Sequence, residues 1–382
     1  MGDRPACDRA AKLQRVERLR RKIPHVSASA LGAVLREVEE NGVPEGIDRR
    51  TIREARDATV TEPTPYGTLV QRTDLPALVG GAIPLYFIHP CALFWHLCIV
   101  SVHFWTFLKE RLAITASTID RPWSLIAYSD EVTPGNVLAT DTTRKSQVIY
   151  FSFKEFGPAA LSREDLWFCF TEKLSNQCVK YAGGLARVFK FFLFCLFKGT
   201  HNFLDGIALK HGDEPSIRLY AKLGFIVQDG GAHKSVFLHK GDGGTNFCPL
   251  CLNAFAAASD VALYDAGLPS NLIKFADLRL ATCQEIRDGC RRAQTRLPGE
   301  TQEDWESRQQ AVGWTAVPYS LLTDESLNDI LDPAEQFMHD WMHGMLNNGV
   351  FSWCLLMLMQ TLATCGLRGV YAELKVRIGQ KR

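Results

Sequence analysis

From Leu75 to Leu108 the chain carries no Asp, Glu, Lys or Arg, an uncharged run of 34 residues. An α-helix needs about 20 apolar residues to cross hydrocarbon, so this run must enter either a bilayer or the middle of a core. Pro84 and Pro90 break its front half, and a helix interior does not tolerate proline. His89, His96 and His103 recur every seven residues and so lie near one face of a helix, where three imidazoles suit lipid poorly. The favoured reading is a buried core helix from about Cys91 to Arg111. A membrane span near residues 83–108 is the alternative. A second apolar block, residues 189–197, is too short to span.

Charge points to no partner globally. Lys plus Arg number 43 and Asp plus Glu 42, a net charge of +1, so any electrostatic footprint on nucleic acid or membrane must be local. The one lopsided stretch is residues 1–24, with KLQRVERLRRK at its centre. It reads as a solvated helix face, a nuclear-localisation patch or a phosphate-contacting arm. Residues 27–57 read as two short helices around the turn NGVPEG, the first with Leu31, Val34, Leu35 and Val38 at helical spacing. Residues 1–60 thus form a basic helical region ahead of a larger unit, 61–382. The twelve cysteines are scattered, several inside apolar runs, where a free thiol acts as a small hydrophobe. That pattern fits a reducing compartment. No apolar stretch opens the chain, so no secretory signal is expected.

Beyond residue 111 strands alternate with helices, which indicates an α/β core. Residues 122–130 (PWSLIAYSD) predict a strand, and 145–156 (KSQVIYFSFKEF) a second with period-two alternation. Ser162 is expected to cap a helical stretch that runs, with a break at Gly183-Gly184, to about residue 197. Residues 218–229 (RLYAKLGFIVQD) predict another strand. Asp130 and Asp229 therefore each close an apolar strand. Acids so placed face the crevice where α/β folds build sites, and a pair of them can share divalent metal. Each could equally cap the turn that follows.

Two further motifs suggest metal. Cys248 and Cys251 form one Cys-x2-Cys after a glycine-rich turn, half of a zinc site that needs two more ligands. The candidates are His339/His343, Cys283/Cys290 and His233/His239. His339-Asp340-Trp341-Met342-His343 sets two histidines at i and i+4 of an expected helix. It echoes the zinc-protease motif but lacks the glutamate that activates water there.

Three stretches taken together, YSDEVTPGN…RK…IYFSFKEFGP with LSREDLWF, then FIVQDGGAHKSVFLHKGDGGTNFCPLC, then DPAEQFMHDWMHGMLNNGVF, resemble transposases of the Kyakuja–Dileera–Zisupton type. The resemblance runs from about residue 64 to about 355. It implies an RNase H-like mixed-sheet α/β core with a zinc-knuckle-like Cys-x2-Cys segment inserted around residues 230–330 and helical N- and C-terminal parts. It implies acids at Asp130 and Asp229 that hold Mg²⁺ or Mn²⁺, a zinc knuckle at Cys248 and Cys251, and DNA, specifically transposon ends, as the partner in the nucleus. A homo-oligomer is compatible with it. Asp340, within a further family signature, is expected by elimination as the third acid, and His339 with His343 is the first choice for the remaining zinc ligands, ahead of Cys283 with Cys290. Past Asp340 the only acid is Glu373, so GVFSWCLLMLMQ (349–360) offers no carboxylate where a third catalytic acid is expected, and the C-terminal part is expected to be incomplete. The reading is therefore a transposase-derived protein that cleaves and joins DNA strands by two-metal phosphoryl transfer if intact. The alternative is a catalytically inactive, DNA- or protein-binding derivative.

Overall fold

A computed structural model describes residues 14, 16–19, 21–22, 28–43, 48–133, 144–256, 268–269, 275–317, 319–340, 354–355, 357–358 and 360–361. The chain divides into two compact units, Met1–Val60 and Thr61–Arg382. In the first, helix α1 (Ala28–Asn41) buries Leu31 and helix α2 (Arg49–Thr61) buries nothing. Asp48 starts α2 by accepting from the backbone N–H groups of Arg50 at 2.8 Å and Thr51 at 3.0 Å, which satisfies donors a helix start leaves orphaned.

The uncharged run does not form the one expected helix at its back. It holds the end of β1 (Val70–Pro76), the strand β2 (Ala82–Ile88) that pairs with β1 as a hairpin, and two helices. Pro90 opens helix α3 (Pro90–Val100), and Ser101 ends it and caps helix α4 (Val102–Ile114) by accepting from Phe104 N. The two helices meet at 111°, and among the described residues no single helix is long and apolar enough to cross a membrane. The break follows from Ser101, whose hydroxyl competes for backbone donors and favours a cap over a helix interior. Cys91, Phe94 and Cys98 are buried, with the Phe94 ring 4.8 Å from Phe168 and 5.4 Å from Phe153.

The main sheet has five strands: β3 (Trp123–Val132), β4 (Ser146–Phe153), β5 (Phe168–Leu174), β6 (Ala221–Gln228) and β7 (Phe337–His339). Their order across the sheet is β7-β6-β3-β4-β5. The first three strands in sequence form an antiparallel meander, and β6 and then β7 add in parallel on the far side of β3. Helix α5 (Gly184–Phe197) connects the meander to β6 and buries Phe189, Phe192, Leu193 and Leu196.

Two expectations are corrected. The expected helix stands beyond the break at Gly183-Gly184, as α5, but the segment directly after Ser162 is not helical. Ser162 ends a short helix, Pro158–Leu161, and edge strand β5 follows a 3-10 turn. Alternation of Phe168 and Phe170 toward the core carries that strand, as the pleat requires. The second correction concerns the region of His339 and Asp340, expected on a helix. Asp332 caps a helix of one turn, Pro333–Gln336, and the chain then extends as β7. Phe337 is buried there, 4.2 Å from the Phe237 ring, and an extended backbone delivers that ring to the core while Met338 faces out, 48% exposed. Residues 341–353, including His343, lie outside the described residues.

Candidate active site

Strand β3 alternates, except that Ile126 on its other face is buried as well. Trp123, Leu125, Ala127 and Ser129 turn to the core, so Tyr128 and Asp130 share the opposite face. Neighbouring β6 starts in phase with it, pairing Ala221 with Trp123 and Leu223 with Leu125. At Gly224 the register shifts, and from there Phe225 pairs with Ile126 and Val227 with Tyr128. The bulge exchanges the faces of everything that follows. Ile226 and Gln228 now fill the core, and the next residue, Asp229, falls beside Asp130 when the register is continued. Without the bulge Asp229 would point inward. Glycine is needed at this site because a Cβ on residue 224 would lie 2.7 Å from Ser124 Cβ.

Strand β7 brings in the third acid. Val227 pairs with Met338 and Gln228 with His339, and the Asp340 backbone N–H donates to the Gln228 carbonyl at 2.8 Å. One further step in register sets Asp340 beside Asp229, on the face of Asp130. This distant segment is held by buried side chains. Gln336 donates to the Leu223 carbonyl at 3.1 Å and the Ile330 carbonyl at 2.9 Å. Arg287, on the helix Cys283–Gln294, donates to the Leu331 carbonyl at 2.5 Å. The result is a row, Asp130–Asp229–Asp340, at the carboxyl ends of three adjacent parallel strands.

Each acid has local company. Asp130 accepts through Oδ1 from the Glu131 N–H at 2.7 Å and through Oδ2 from the Tyr128 hydroxyl at 3.2 Å. Asp229 is also the N-cap of helix α6 (Gly230–Phe237), accepting from Ala232 N at 2.6 Å. It thus both caps and joins the row, and the positive end of the helix favours its charge. Burial raises the Tyr128 phenol well above its ordinary range, and the nearby charges of Asp130, Asp340 and Asp229 push it further. One phenol therefore feels all three carboxylates. Glu131, on the opposite face, is tied to Lys145 at 2.8 Å and Ser175 at 2.7 Å. Burial works to raise its carboxyl, and these bonds outweigh it and hold the group low.

The donors of the row are all carboxylate oxygens, half-buried, the chemistry that suits hard divalent ions such as Mg²⁺ and Mn²⁺ over zinc. Among the described residues no three His, Cys, Asp or Glu side chains already converge on one ion position. The acids form a line along the strand ends, a geometry for ions that also take oxygens from substrate.

Cys248 and Cys251 lie together on a tight turn. Asn246 builds it, its Oδ1 accepting from Cys248 N at 3.2 Å and its Nδ2 donating to the Cys251 carbonyl at 3.2 Å. Burial, with Cys248 alongside, pushes the Cys251 thiol up to about 12. Three of the other candidate ligands have contacts of their own. Cys290 is fully buried, 3.2 Å from Ser320 Oγ, His239 Nδ1 accepts from Gly241 N at 3.0 Å, and His233 packs 5.3 Å from Phe337. His339 ends a strand, so no helical i,i+4 pair begins there.

Sequence reasoning placed Asp130 and Asp229 on strands but missed Tyr128 and the Gly224 bulge. The signal for the bulge was available: Leu223-Gly-Phe-Ile breaks the alternation of its strand. Compared with protein-family models and with curated proteins, the chain gives no match.

Proposed function

We propose that the row Asp130–Asp229–Asp340 is a divalent-metal site for phosphoryl transfer on DNA, and that the chain is a transposase-derived protein with an RNase H-like core. The observation that carries this reading is the register that puts three aspartates on one face at the ends of three adjacent parallel strands. The strand order, with an antiparallel meander of three followed by two parallel additions, is the arrangement such a core has, and it supports the resemblance drawn from the motifs. Mg²⁺ or Mn²⁺ ions there would activate the attacking oxygen and stabilise the leaving one in an in-line displacement. Asp130, on the central strand, and Asp229, beside it, are the residues best placed to hold them. Asp340 adds the charge needed to keep cations against a phosphodiester. Zinc at Cys248 and Cys251 belongs to the same reading as a structural element of the segment inserted between β6 and β7.

The test is strand cleavage of duplex DNA by the purified protein with Mg²⁺ or Mn²⁺, beside Asp130→Ala. Cleavage by the wild type that is lost in the variant supports the reading. Equal cleavage by both removes Asp130 from the chemistry.

A further inference from the structure

We infer that Tyr128 is a positioning residue of the acidic row, holding the Asp130 carboxylate in the orientation in which it receives a divalent cation. The inference rests on the metal-site reading of that row and assigns it a residue that no motif marked.

The geometry is specific. Tyr128 lies two residues before Asp130 on β3, and the pleat sets both on one face. Its hydroxyl donates to Asp130 Oδ2 at 3.2 Å while the Glu131 N–H donates to Oδ1 at 2.7 Å. With one donor on each oxygen the carboxylate plane is fixed. An ionised carboxylate has about four acceptor sites, so each oxygen keeps a lone pair for a cation. The phenol is itself held. Its ring stands 6.2 Å from Tyr150, its cross-strand partner, and 6.1 Å from Trp167, and Trp167 is anchored by donating from Nε1 to the Leu161 carbonyl at 2.9 Å. The chain of support therefore runs to the acid through Trp167: Leu161 fixes Trp167, Trp167 fixes the Tyr128 ring, and Tyr128 fixes Asp130. Groups that orient a ligating side chain in this way typically matter about 10–100-fold in metal affinity.

The experiment measures Mn²⁺ affinity of the full chain, without DNA, by electron paramagnetic resonance of the free ion, for the wild type, Tyr128→Phe, Tyr150→Phe and Asp130→Asn. Melting temperatures are recorded alongside. Tyr150→Phe removes a phenol from the same aromatic group without touching Asp130, and so reports any purely structural loss. The proposal expects Asp130→Asn to abolish tight binding, Tyr128→Phe to weaken it about tenfold or more, and Tyr150→Phe to leave it within twofold. Tyr128→Phe matching the wild type, while Asp130→Asn loses the ion, would overturn the positioning role and leave the row standing. Equal weakening by both phenol variants would reduce Tyr128 to packing and overturn it too. No dependence of binding on Asp130 would overturn the row and Tyr128 with it.

Discussion

Gln228 donates from its side chain to the Ser129 hydroxyl at 2.5 Å across the two central parallel strands, and both residues are buried. Each immediately precedes an aspartate of the row. The bond fixes, from the core side, the register that sets Asp130 and Asp229 together on the other face. Ser129→Ala leaves a buried carboxamide donor without its partner, which costs about 1–3 kcal/mol. Urea unfolding checks the loss, and the variant is also expected to bind divalent metal more weakly than the wild type, because the register it loosens is that of the acids.

The bulge predicts a second effect. In Gly224→Val the new side chain meets Ser124, whose Cβ would lie 2.7 Å from the first added carbon. Overpacking of this kind costs about 1–3 kcal/mol. Gly224→Val combined with Ser124→Gly removes the closest contact and is expected to recover part of the stability, measured by thermal denaturation, while Ser124 Cα at 3.2 Å and the Leu125 carbonyl at 3.3 Å still crowd the new Cβ. A double variant no more stable than Gly224→Val would place the strain elsewhere.

Asp229 caps a helix and, in the proposed function, also holds metal, and substitution separates the two. Asparagine caps a helix about as well as aspartate, whereas alanine does not, at a cost of about 1 kcal/mol. Asp229→Asn is therefore expected to melt like the wild type yet lose metal-dependent activity, and Asp229→Ala to lose both. Retained activity in a stable Asp229→Asn would leave only the cap.

Acid sensitivity is expected near His89. Burial, with His201 nearby, lowers its pKa to about 4 from an ordinary value near 6.5. As pH falls from about 6.5 toward 4 the unfolded chain takes up this proton and the folded one resists it, so stability present at neutral pH is lost across that window. His89→Gln has nothing to protonate there and is expected to show a flatter decline. Melting temperatures between pH 4 and 7 decide it.

The Cys-x2-Cys turn yields a further expectation. If it holds zinc, metal analysis of the purified protein finds about one equivalent, and Cys251→Ser releases it. Zinc-free wild-type protein of native stability would remove the metal from this segment.

How much of this was legible in the sequence depends on element length. Strands β3, β4 and β6 each carry long apolar runs with a visible period, and the acids Asp130 and Asp229 that close the β3 and β6 runs were found. Strand β5 was missed because Ser162-Arg-Glu-Asp imitates a capped helix start, while the decisive signal was Phe168 and Phe170 two residues apart. Strand β7 spans only Phe337–His339, too short for any period, and its register comes from Gln228 and Gln336, contacts remote in sequence. Asp340 was singled out through the resemblance, but its place beside Asp229 depends on a strand that local pattern did not reveal. The uncharged run concealed Ser101, one hydroxyl that turns an expected long helix into two.

The central claim, that three acids far apart in sequence meet one divalent-ion site, is tested most directly by iron-mediated backbone cleavage. Fe²⁺ replaces Mg²⁺ at oxygen-rich sites, and with ascorbate and peroxide it produces hydroxyl radicals that cut the chain close to the ion. The account predicts fragments ending near residues 130, 229 and 340 together, suppressed by excess Mg²⁺ and absent in Asp130→Asn. Cuts at only one of these places, or cuts unaffected by Mg²⁺ and by Asp130→Asn, would contradict it.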